Sequence, residues 1–149
     1  MNENLERVRE LNDTPVVHFE YDGHRWYCDG MIIVREDSLP LMEYEPGSKP
    51  AKMAIGATKI LANLDLSKYS PLRDGGMFGD LCGFGYIRRL HELTWNVTIK
   101  ERYRRVFPDN CEFWGTAPDK QVAIYTGSEL IGIIMPVRPK GFENAPEVR

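Results

Sequence analysis

The amino-acid sequence predicts an α+β domain of two similar halves, each a helix followed by antiparallel strands. Three observations carry that prediction. The run CEFWGTAPDKQVAIYTGSELIGIIMPVRP, Cys111–Pro139, divides into three strands rich in β-branched and aromatic residues. Two Asp-Gly pairs, Asp22-Gly23 and Asp29-Gly30, punctuate an aromatic stretch as hairpin turns do. Between these regions, Phe84–Trp95 places Tyr86, Ile87, Leu90 and Leu93 on one helical face, with Arg88, Arg89 and Glu92 pointing away.

Element by element, Glu3–Leu11 reads as a helix, with Leu5, Val8 and Leu11 at helical spacing and Pro15 as its limit. Val16–Tyr21, His24–Cys28 and Met31–Arg35 follow as a three-strand meander turned by the Asp-Gly pairs. Residues 38–79 hold Pro40, Pro46, Pro50 and Pro71 with Gly47, Gly75 and Gly76, and read as an irregular insertion. Inside it, Lys52–Leu64 fits either a short helix or a strand-turn-strand. The helix Phe84–Trp95 continues through Val97–Val106 on the apolar positions Ile99, Tyr103 and Val106, and Pro108 closes it. Cys111–Trp114, Gln121–Tyr125 and Glu129–Val137 are the final strands, the last two joined by Thr126-Gly127-Ser128. Residues 1–140 are expected to form one domain and 141–149 a flexible tail.

Composition bounds the function classes. With 149 residues, 42% hydrophobic and 28% charged, the chain has the make-up of one soluble globular domain. No apolar run approaches a bilayer span, and the charged N-terminus MNENLERVREL lacks the apolar core of a secretory signal, so a cytoplasmic protein without a membrane partner is expected. Cys28, Cys82 and Cys111 are odd in number and widely spaced, which suits reduced thiols better than a disulfide framework. A net charge of −3 argues against nucleic-acid binding by the whole surface, yet Arg88–Arg105 gathers Arg88, Arg89, Lys100, Arg102, Arg104 and Arg105 against Glu92 and Glu101.

Chemistry-bearing motifs are sparse. Asp22, His24 and Asp29 are metal-ligand types without diagnostic spacing, and two tight turns explain the Asp-Gly pairs. Gly79–Gly85 lacks the Lys-Ser/Thr ending of a phosphate loop. Cys28 with His24, and Cys82 with His91, are nucleophile–base combinations without an activating context, and a buried structural Cys is the ordinary case. The residues thus predict no catalytic site, no metal and no cofactor. The basic face of the predicted helix is the strongest functional feature, since aligned Lys and Arg meet phosphates without reading sequence; a solvated charged face is the plainer alternative.

Several pieces together resemble the bacterial sliding clamp family (the DNA polymerase III beta subunit), in its divergent phage-type single-domain form. Ile134-Met135-Pro136-Val137-Arg138 is similar to the closing strand of such proteins. Phe84-Gly85-Tyr86-Ile87-Arg88-Arg89-Leu90 is similar to the opening of their second helix, two residues shorter, and Cys28-Asp29-Gly30-Met31-Ile32-Ile33-Val34 to a first-half hairpin step. The matching pieces cover about half of the chain and draw their force from their order. The chain departs from the family in lacking the strand before Glu3–Leu11 and in its long Pro-rich insertion. The resemblance implies a clamp-like domain of two helix-plus-meander halves, with antiparallel sheets outside and helices on one side.

It also implies a non-enzymatic DNA-replication accessory protein. Arg88, Arg89, Lys100 and Arg102 would touch phosphates of double-stranded DNA loosely and without sequence preference. Met135, Pro136 and Val137, with Pro118, would line a cleft for short linear motifs of replication or host proteins. Encircling DNA would require a homo-oligomer. The alternative is a phage-encoded interaction module or inhibitor of the same fold that binds a host protein and does not encircle DNA. Residues 38–79, with acidic Glu36, Asp37, Glu43 and Glu45 close by or within, would then be its contact surface.

Overall fold

A computed structural model describes residues 16–79, 85–137 and 147–148. The predicted helix Glu3–Leu11, Cys82 and most of Gly79–Gly85 lie outside the described residues. The fold is α+β with antiparallel sheet dominant. The chain divides into two compact units, the first ending at Ser67 and the second beginning at Lys68.

The first unit holds the meander β1 (Val17–Tyr21), β2 (His24–Cys28) and β3 (Ile32–Arg35). Both turns follow from local chemistry. Asp22 and Gly23 adopt φ of 53° and 77°, the left-handed pair that a two-residue hairpin needs. At the second turn the Asp29 carboxylate accepts the N–H groups of Met31 (2.8 Å) and Ile32 (3.1 Å). Helix α1 (Lys49–Ala62) packs against β1 and β2 through buried Ala57 and Leu61. The helical alternative for Lys52–Leu64 is the one adopted. Its start is written in Ser48-Lys49-Pro50: the Ser48 hydroxyl accepts the Ala51 N–H, and Pro50 occupies the first turn, where a missing N–H costs nothing.

The second unit carries β4 (Ser70–Phe78), β5 (Ile87–His91), β6 (Asn96–Lys100), the single-turn helix α2 (Glu101–Arg104), β7 (Glu112–Gly115), β8 (Val122–Thr126), β9 (Glu129–Ile134) and β10 (Glu147–Val148). Within it the strand order is β9-β8-β7-β4-β5-β6, every pairing antiparallel, with β10 along β4. Register shifts at Asp74/Met77 in β4 and Ile124/Tyr125 in β8 are the irregularities by which a sheet bends. The chain leaving β9 then reaches the far strand: the Val137 N–H donates to the Thr98 carbonyl at 2.8 Å. That bond occupies an outward-facing carbonyl of β6 with the protein's own backbone.

Two expectations are corrected. Residues 38–79 are not irregular, since α1 and the nine-residue β4 lie inside them. The described part of Phe84–Trp95 is not helical: Ile87–His91 is a strand, and Val97–Val106 divides into β6 and α2. In so short a window, apolar residues three apart also suit a strand buried on both faces, and Ile87 and Leu90 are both buried. Leu93, assigned to the apolar helix face, stands 89% exposed in the β5–β6 turn. Within the residues expected as a tail, Glu147 and Val148 pair with Phe78 and Met77. The described residues of the second half thus place strands at Ile87–His91 and Asn96–Lys100, where a helix was expected.

Candidate functional site

The four residues expected to touch DNA come from the β5–β6 hairpin and α2, not from one long helix. Register pairs Arg88 with Ile99 and Arg89 with Thr98, so neighbouring arginines on β5 leave on opposite faces of the sheet. Arg88 turns towards acids. Its Nε and Nη2 donate to Glu101 Oε1 and Oε2 at 2.7 and 2.9 Å, and its Nη1 donates to both oxygens of Asp74 at 2.8 and 2.6 Å. Glu101, nearly buried, also meets Arg105 at 3.6 Å. Such a fork-on-fork pair holds a guanidinium in one place and neutralises it. Arg89 lies over the Phe78 ring at 4.9 Å, a packing role for its planar head.

The bulge in β4 brings Asp74 into this network. Gly76, at φ 104°, donates its N–H to Asp74 Oδ1 at 3.0 Å. Burial pushes the Asp74 carboxyl upwards, but the hydrogen bonds from Arg88 and Gly76 and the Arg88 charge outweigh it, and the net shift is down. A carboxylate with a depressed folded-state pKa contributes stability above its ordinary value, and that stability is lost as pH falls through the folded value. Asp74→Asn is therefore expected to flatten the loss of stability below about pH 4, read from urea midpoints across the acid range. An unchanged acid limb overturns this.

Lys100 and Arg102 share the ring of Tyr103, with Lys100 Nζ 5.8 Å and Arg102 Cζ 5.1 Å from its centroid. Tyr103 is buried, so the ring is a fixed platform under both cations. Arg102 is exposed, as is Arg105, whose side chain is 65% accessible. Arg104 points inwards instead: its guanidinium donates to the Phe107, Pro108 and Asp109 carbonyls and lies over Phe113. The outward basic surface thus consists of Lys100, Arg102 and Arg105 at the β6–α2 corner, with Arg88 bracing it through Glu101. Arg105 belongs to the basic run of the sequence but not to the four residues expected at the contact. The i,i+4 pair Glu101–Arg105 was the signal that places it beside Arg88's partner.

Met135 and Pro136 are half-buried and Val137 is buried, the three forming the segment that runs from β9 to the Thr98 carbonyl. Pro118 is half-buried between β7 and β8. The remaining candidates are absorbed into turns and core. His24 Nδ1 stands 3.1 Å from Asp37, whose carboxylate also accepts the Arg25 N–H. Burial raises the Cys28 thiol to about 11. Among the described residues, no three of His, Cys, Asp and Glu gather as a metal site.

No protein-family model, no curated protein and no solved structure matches the chain. The functional reading therefore rests on the residues themselves.

Proposed function

We propose that this chain is a non-enzymatic, clamp-like accessory protein of DNA replication that holds duplex DNA by its phosphates. One observation carries the reading: Lys100, Arg102 and Arg105 stand at one corner, two of them on the Tyr103 ring and the third beside Glu101. Cations displayed from a rigid strand–helix corner meet a phosphate backbone without contacting base edges, which leaves the protein able to move along the duplex. Arg88 acts as a brace in this reading, because two carboxylates already occupy its guanidinium. The clamp resemblance of Ile134–Arg138 adds a partner-peptide role for Met135 and Pro136.

Fluorescence anisotropy with a labelled random-sequence duplex tests the reading across a salt series. Binding is expected to weaken steeply with salt, and Arg102→Ala/Arg105→Ala is expected to lower the log–log slope by about two and affinity at low salt by about tenfold or more. Salt-independent retention, or retention unchanged in the double variant, overturns the proposal.

A further inference from the structure

The first unit exposes an apolar pair distinct from the basic corner's own residues. Leu41 and Met42 are 54% and 48% accessible, although the chain on either side of them is anchored. Before them, Leu39 is buried and its carbonyl accepts Arg25 Nη1 at 2.7 Å. After them, the Tyr44 hydroxyl accepts the His18 N–H at 2.9 Å and reaches Met42 Sδ at 3.6 Å. The His18 amide faces outward from β1, so Tyr44 both caps that strand and holds the segment against it. Two large apolar side chains are thereby held in water between fixed points, which is the arrangement of an anchor presented to a partner.

Charge states the chemistry of that partner. From Glu36 to Ser48 the chain carries Glu36, Asp37, Glu43 and Glu45 and no Lys, Arg or His, and all of these acids except Glu36 are exposed. The complementary surface, apolar with basic neighbours, is present on the second unit. Tyr86 is 52% exposed, its carbonyl accepts the Glu101 N–H at 2.9 Å, Arg102 follows on α2 and Arg105 stands at its C-terminal cap. We infer that two copies of this chain associate through unlike surfaces, with Leu41, Met42, Glu43 and Glu45 of one copy seated on Tyr86, Arg102 and Arg105 of another. The acidic segment then stands where phosphates would, so self-association and DNA binding exclude one another. Each pair leaves one surface of either kind vacant, so association grows with concentration or closes on itself. The self-association rests on these two surfaces alone; only the competition rests on the DNA reading.

Sedimentation velocity of the full chain without DNA, over a concentration series at about 50 mM and about 500 mM salt, tests the contact. The average mass is expected to rise with concentration at low salt and to fall back at high salt. Glu43→Lys/Glu45→Lys and Arg102→Glu/Arg105→Glu should each remain monomeric, whereas an equimolar mixture should associate, because the reversed charges match again. Leu41→Ala/Met42→Ala keeps every charge and leaves the Leu39–Arg25 and Tyr44–His18 hydrogen bonds in place, and should weaken association about tenfold. A monomer throughout the series overturns the inference. So does wild-type association in any of the three variants, or a mixture of the two charge variants that stays monomeric. Added duplex DNA should release the associated chains. Association that survives saturating DNA removes the shared surface, whereas intact self-association with no DNA binding refutes only the DNA reading.

Discussion

Glu101→Ala is expected to lower stability by about 3 kcal/mol, seen as a fall in the urea midpoint with little change in slope. The Glu101 side chain is only 9% accessible and accepts two hydrogen bonds from Arg88, which is 19% accessible. Removing the carboxylate leaves a largely desolvated guanidinium with Asp74 as its remaining ion-pair partner among the described residues, and it also deprives Arg105 of its i,i+4 partner. Breaking one side of a buried pair costs more than the pair contributes, because the abandoned charge stays buried. Arg88→Met/Glu101→Leu should therefore be less damaging than Glu101→Ala alone. A loss below about 1 kcal/mol for Glu101→Ala would mark the pair as equivalent to an exposed one and sink this account.

Gly75→Ala is expected to cost about 2–3 kcal/mol for a different reason. A Cβ at Gly75 would overlap the His91 ring across the β4–β5 pair and stand 2.9 Å from the Arg89 carbonyl oxygen. The ring can rotate away, but the carbonyl belongs to the ladder and cannot. Gly75→Ala/His91→Ala should consequently recover only part of the loss in the same urea titration. Full recovery would show that the ring alone sets the requirement, and no loss in Gly75→Ala would show that the bulge yields freely. The bulge matters beyond stability, because it directs Asp74 towards Arg88 and so sets the brace under Lys100, Arg102 and Arg105.

Much of the fold was legible, and what was legible shares one property. β1, β2 and β3 follow a hairpin whose Asp22-Gly23 turn is read directly from the two residues, and β7, β8 and β9 follow β-branched and aromatic runs with Gly127 at φ 60° between the last two. Helix α1 was not legible in the same way: Ser48 and Pro50 cap and open it, but among so many Pro and Gly the sequence left Lys52–Leu64 open between a helix and a strand-turn-strand. The candidate site was legible as composition only. The sequence showed that bases cluster between Arg88 and Arg105, but spacing did not reveal that Arg88 is held by Glu101 and Asp74, Arg89 by Phe78 and Arg104 by main-chain carbonyls.

The sequence alone specified the elements whose geometry is decided within a few residues: tight turns that require positive φ and strongly β-branched strands. β5 and β6 were settled by long-range strand pairing. Ile87 and Leu90 satisfy a helix face or the two buried faces of a strand equally well. The choice fell to pairing with β4, whose Arg73–Phe78 meets Ile87–His91 across the bulge. The same long-range pairing divided the bases into braces and exposed contacts, because which arginine meets a carboxylate depends on register between distant strands and not on order along the chain.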